Sequence, residues 1–150
     1  MADMVFNIAK RGILDGTIDL TSDTIKIFPI ISTALDDGTS EDADNVGALT
    51  FTEHDGSGYT WGFAGTGRQT LANKAFTTDD TGDEAEFDNT ADITWSSLGA
   101  GASPATGFLV YKHDTNDATS IPICWLDGAF TSNGGDVTVQ FNAEGILNLT

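Results

Sequence analysis

Apolar and polar residues follow two different rhythms along this chain. At the start, Val5, Ala9 and Ile13 recur at i, i+4 and i+8 with Phe6 alongside, the spacing of one helix face. Asp3 is placed to cap such a helix and Gly16 to stop it in the left-handed conformation. Lys10 and Arg11 fall in its last turns, where the helix dipole favours cations. Gly12 works against it, at about 1 kcal/mol relative to alanine. A helix is predicted over residues 3–16.

Beyond Gly16 the pattern becomes that of short strands. Residues 24–31 are rich in β-branched side chains, although Pro29 argues for a sheet edge or a bulge. Residues 48–52 are a short candidate. Residues 71–78 and 84–89 flank Asp79-Asp80-Thr81-Gly82-Asp83, a natural hairpin loop. Thr94-Trp95 is a fragment, and residues 107–112 and 121–129 read as buried strands around the turn Asp114-Thr115-Asn116-Asp117. Val137, Val139 and Phe141 alternate with Thr138 and Gln140, and residues 146–149 close the chain. Seven to nine such strands with regular turn signals predict an all-β fold. The expected architecture is a single domain over residues 1–150, an antiparallel β-sandwich or jelly-roll-like barrel, with residues 1–16 as a short N-terminal helix or arm. No internal repeat is visible.

Composition supports a packed domain. The 150 residues include nine Phe and three Trp, which supply large buried areas, and 17 Gly, which suit many tight turns. Charge narrows the partners. Twenty-three acidic residues face six basic ones, for a formal net charge of −17, and no cation follows Lys112. Binding phosphate needs clustered Lys or Arg, so neither nucleic acid nor an anionic membrane surface is an expected partner. Two tracts carry much of the acid, residues 36–44 and 79–92. No apolar run approaches the roughly 18–20 residues of a membrane span, and Met1 leads into a mixed polar stretch rather than a secretory core. The protein is therefore expected to be made and folded in the cytoplasm. Cys124, the single cysteine, sits among apolar neighbours and reads as a buried, inert thiol.

Candidate chemistry is sparse. Gly62-Phe63-Ala64-Gly65-Thr66-Gly67-Arg68-Gln69 resembles a phosphate loop but has Arg68 and Gln69 where Lys and Ser or Thr are needed. His54 and His113 are the two side chains able to carry protons near neutral pH, and no nucleophile elbow accompanies either. No catalytic residue, cofactor or metal is predicted. Three acidic stretches, at 42–44, 79–83 and 114–117, offer oxygen ligands of the kind calcium takes, but none has EF-hand spacing and turns are the favoured reading. Tyr59, Trp61 and Phe63 would share one face if extended, either as buried core or as an exposed platform for a sugar or a protein.

Several stretches carry a family resemblance. Phe6-Asn7-Ile8-Ala9-Lys10-Arg11-Gly12-Ile13-Leu14-Asp15-Gly16, then Asp19-Leu20-Thr21-Ser22-Asp23-Thr24-Ile25-Lys26-Ile27, open the chain. Gly58-Tyr59-Thr60, Leu71-Ala72-Asn73-Lys74, Ala85-Glu86-Phe87-Asp88 and Asp92-Ile93-Thr94-Trp95 follow. Val110-Tyr111-Lys112 and the segment from Asn133 to Leu147 complete the series. In order and over nearly the whole length, these stretches resemble a family of small virion structural proteins of tailed bacteriophages. The resemblance implies a structural protein and not an enzyme. It implies a capsid decoration (cement) protein on the outer surface of the head, its partners being the major capsid protein and sister copies in a dimer or trimer. A tail, neck or baseplate component is the alternative. A carbohydrate-binding adhesion module using Tyr59, Trp61 and Trp95 is another. The chain departs from the family in the longer Gly62–Gly67 stretch and the acidic loop at 32–47. Contact residues are expected among Phe6, Lys10, Arg11, Ile13, Tyr59, Trp61 and Arg68. The N-terminal segment either docks on the shell or a sister copy or, the favoured reading, packs across one end of the sandwich, with the acidic tracts facing water.

Overall fold

The computed structural model describes residues 3–31, 33–36, 38–141 and 145–149. In chain order these form β1 (Met4–Val5), α1 (Asn7–Asp15), β2 (Ile25–Ile31), β3 (Thr52–Glu53), β4 (Gln69–Thr70), β5 (Lys74–Asp79) and β6 (Glu84–Asn89). Then come β7 (Ile93–Trp95), β8 (Ala105–Lys112), β9 (Ile121–Phe130), β10 (Val137–Val139) and β11 (Leu147–Leu149). All pairings are antiparallel. The fold is all-β with one short N-terminal helix.

The three strands richest in β-branched and aromatic residues make the centre. β9, β8 and β2 lie side by side in the main sheet, with β1 on the outer edge of β9. The far edge of β2 is shared by β3, opposite Ile30 and Ile31, and β4, opposite Lys26 and Ile27. Pro29 falls between those two short partners, so a residue without an N–H sits in a central strand at a point where the ladder is already split. Its carbonyl still accepts from the His54 N–H at 3.1 Å. The β8–β9 register slips at Gly107, where any Cβ would run into the Trp125 ring and the Leu126 carbonyl.

Two smaller sheets pair β7 with β10 and order β11-β6-β5. Aromatic contacts tie them to the main sheet: Trp95 of β7 stacks on Phe108 of β8, ring centroids 5.7 Å apart, and donates its indole N–H to the Gly67 carbonyl at 2.6 Å. Phe87, Ile146 and Leu147 join the same apolar cluster as Phe28, Leu109 and Ile123.

Three expectations are corrected. The helix starts at Asn7, not Asp3, because the open edge of β9 captures Met4 and Val5 as a strand opposite Trp125 and Cys124. Asp3 accepts the Asp127 N–H at 2.6 Å instead of capping α1. Residues 48–52 do not form the expected strand; Val46–Ala48 is a 3-10 turn and β3 begins at Thr52. The stretch holding Tyr59, Trp61 and Phe63 is a series of turns, so the three rings do not share a face. Gly16 does end α1 in the left-handed region, φ 78°. Gly12, unfavourable for helix, is there for packing: a Cβ would stand 2.8 Å from the Ile18 side chain. No helix among the described residues is long and apolar enough to cross a membrane.

Candidate functional site

Arg68 follows the glycine-rich loop and turns inward. It is buried at 5% exposure, with its guanidinium 4.3 Å over the Phe28 ring. Nη2 meets Glu53 Oε2 at 2.8 Å and Nη1 meets Asp117 Oδ1 at 2.6 Å, while Nε reaches both Glu53 oxygens. Glu53 also accepts the Tyr59 hydroxyl at 2.7 Å and the Gly62 N–H at 3.1 Å. Burial opposes the charge on Arg68, but the hydrogen bonds to Asp117 and Glu53 outweigh it and hold the guanidinium above its ordinary value. Burial, reinforced by the Glu53 carboxylate, pushes the Tyr59 phenol up. With its donors engaged inside the protein, Arg68 cross-links β3, β4 and the 114–117 turn. The glycines before it serve that packing: Gly67 lies against the Tyr59 ring and Gly65 against the Thr60 carbonyl.

Two of the expected contact aromatics are therefore buried, Phe6 at 0% and Tyr59 at 7%, as is Arg68. None of the three reaches the surface, because each fills the core beneath it. Trp95 is buried too, at 3%. Trp61 is 68% exposed and borders a cleft of about 450 Å³ with Phe51, Asp55 and Asp117. Phe63 stacks on His113, centroids 4.5 Å apart.

His54 is buried and 3.0 Å from Ser132 Oγ, a pairing invisible in the sequence. Its Nδ1 accepts the Gly56 N–H at 3.1 Å, so the ring proton resides on Nε2 and is donated to Ser132. Ser132 in turn donates to the Gly99 carbonyl at 2.8 Å. A general base needs the opposite arrangement, with a free Nε2 lone pair facing the hydroxyl. The chain of bonds instead ties β3 to the 97–101 and 131–135 loops. Cys124 lies fully buried, and burial pushes its thiol up to about 12.

Among the described residues no group of three or more His, Cys, Asp or Glu is placed to hold a metal ion. Acids in two of the three candidate stretches are already engaged: Asp79 Oδ1 accepts the Thr81 N–H at 2.8 Å within its own turn, and Asp117 pairs with the distant Arg68. Near the third, Glu41 and Asp42 meet the start of α1, where Asn7 donates its N–H to the Glu41 carbonyl and its amide to Asp42 Oδ1 at 2.7 Å. The acidic 36–44 tract thus reaches the start of α1, while Asp36, Asp42 and Asp44 remain exposed to water as expected. The N-terminal segment and that tract are neighbours, and the expected division into a basic docking end and an acidic outer end is withdrawn.

The other large exposed apolar side chains lie elsewhere. Leu14, Phe76 and Leu149 are exposed at 89%, 49% and 57%. Phe76 and Leu149 line an open groove of about 690 Å³ between one face of the β5-β6-β11 sheet and the chain leaving α1, and Leu14 adjoins its lining residue Ile13. Phe76, Phe87 and Leu147 stand in register across the three strands. The opposite wall, residues 16–21, is pinned by cations. Lys74 donates to the Thr21 and Asp23 carbonyls at 2.9 and 2.7 Å, and Lys112 to the Thr17 carbonyl at 2.7 Å while pairing with Asp23 at 2.8 Å. Of the expected contact residues, Ile13 lines this groove, and Lys10 and Arg11 are exposed on α1. Sequence reasoning missed Leu14, Phe76 and Leu149. One signal was present: Leu14 is out of phase with Val5, Ala9 and Ile13, one turn after Lys10. No family, curated protein or solved structure matches the chain.

Proposed function

We propose that this protein is a virion structural protein, a capsid decoration protein that binds the outer surface of a bacteriophage head and stabilises the shell. The observation that carries the reading is the exposure of Phe76 and Leu149 along one preformed groove, with Leu14 exposed on the adjoining end of α1, on a strongly acidic β-body. Exposed apolar surface of that kind marks a docking site. The family resemblance along the chain supplies the setting, with the major capsid protein and sister copies as partners. A lattice of neighbours acts multivalently, so each copy needs little affinity of its own. The role is binding rather than catalysis.

Quantitative mass spectrometry and antibody labelling of purified virions test this. Copies over the whole head surface support decoration. Copies confined to one vertex or the tail replace it with the tail, neck or baseplate reading. Absence from particles sinks both. Trp61, exposed beside its cleft, favours a second reading as a carbohydrate-binding module. That reading requires quenching of tryptophan fluorescence by host-surface glycans, abolished in Trp61→Ala.

A further inference from the structure

We infer that this end of the molecule is self-complementary: the outer face of α1, where Leu14 stands with Lys10 and Arg11, seats in the Phe76–Leu149 groove of a second copy.

Both halves of the contact are present on one chain. Lys10 and Arg11 stand four and three residues before Leu14, hence flank it on the helix surface, and all three are exposed. Ala9 and Gly12 are buried beneath them, so that face points away from the body. The face offers one large apolar side chain with two cations beside it. The groove offers the converse. Its walls are largely apolar, and the charged side chain at its rim is acidic, the exposed Asp19.

Charge decides what fits. Of the six cations in the chain, Arg68, Lys74 and Lys112 are consumed by internal carboxylates and carbonyls, and Lys26 is half-buried in β2 of the main sheet. Lys10 contacts Asn7, and Arg11 reaches Asp15 at 3.7 Å with both side chains largely in water. An exposed pair of that kind holds little energy and yields readily to a better partner. The net charge of −17 opposes self-association. At physiological salt that repulsion is screened beyond about 8 Å, which leaves close contacts to decide.

Position decides the symmetry. The helix face and the groove adjoin at Ile13 and Gly16, which line the groove while belonging to the end of α1. A two-fold axis near this junction lets each copy insert its helix face into the other's groove, as an isologous interface requires. The groove walls are already fixed by Lys74, Lys112 and the Ile18 N–H to Gly12 carbonyl bond at 2.9 Å, so little ordering opposes the contact. The inference deepens the reading above, which names sister copies among the partners. Its test uses the purified protein alone, so its failure leaves the virion result untouched.

Light scattering and sedimentation equilibrium across a dilution series in physiological salt should show a reversible dimer. Leu14→Asp and Phe76→Asp should each give a monomer with an unchanged circular dichroism spectrum, while Trp61→Ala stays dimeric. Lys10→Glu should weaken the dimer at least about tenfold. Adding Asp19→Lys to it should restore most of the loss. Mixed Leu14→Cys and Phe76→Cys proteins should cross-link to each other under mild oxidation, with buried Cys124 a bystander. A wild-type protein that stays monomeric overturns the inference. So does a dimer indifferent to both aspartate substitutions, or a charge swap that fails to restore pairing.

Discussion

Around Arg68 the guanidinium meets two carboxylates and the Phe28 ring inside the main sheet, and the neighbouring Leu109, Ile27 and Tyr111 are wholly buried. Around Phe76 three strands also present an apolar face, but Phe76 and Leu149 remain about half in water. The two regions use the same antiparallel pairing and similar side chains. They differ in whether the chain itself supplies a cover. β2 and β8 are covered by rings from elsewhere in the sequence, Phe51 on Phe28 and Trp95 on Phe108, whereas the face of β5, β6 and β11 meets a wall that Lys74 and Lys112 tie down beside it without filling the groove. Buried charge therefore completes one region, and the other is left without a cover.

Breaking the closed region should have the largest effect. Arg68→Met removes the guanidinium but leaves the Glu53 carboxylate buried and without its countercharge, at a cost of about 3–5 kcal/mol in urea unfolding. Arg68→Lys keeps a charge but loses the two-pronged geometry, and should fall between the two. A loss below about 1 kcal/mol for Arg68→Met would mean that the network is dispensable.

The contrast between the regions sharpens with one leucine from each. Leu109→Ala, in the closed region, should cost about 2–5 kcal/mol through lost burial and a residual cavity. Leu149→Ser, at the open groove, should change monomer stability by no more than about 0.5 kcal/mol. Equal losses at both positions would show the groove to be core rather than docking surface.

Much of the fold was legible in the sequence because its signals are local. The β-branched run of β2, the β5–β6 hairpin around 79–83 and the glycine stop at Gly16 each depend on a few adjacent residues. β1, β3 and β4 were not legible. Each is two residues long and exists because a distant strand offers an edge, as β9 does to Met4 and Val5. The site fared worse for the same reason. Arg68 reads as a surface cation until Glu53 and Asp117, 15 and 49 residues away in sequence, are brought to it. Phe76 reads as an ordinary strand residue until the space beside it proves to be unfilled.

The smallest expected effect concerns pH, and it again separates closed from open. Burial lowers the His54 pKa, with Asp55 opposing weakly, and burial together with Lys26 and Arg68 lowers that of His113. Both rings belong to the closed side, where a positive charge would have to displace the bonds His54 makes with Gly56 and Ser132. Because the folded pKa lies below the unfolded value of about 6.5, the folded state binds fewer protons in that window. Stability from these rings is whole above about pH 6.5 and is lost as pH falls through their folded values. The interval between about pH 7.5 and 5.5 brackets the unfolded histidine value, so it is where these two rings act. Urea midpoints should decline across that interval in wild type and less steeply in His54→Gln. The groove holds no histidine, so Phe76→Asp should follow the wild-type slope; a flattened slope there, or an unchanged one in His54→Gln, would detach the pH response from the closed region.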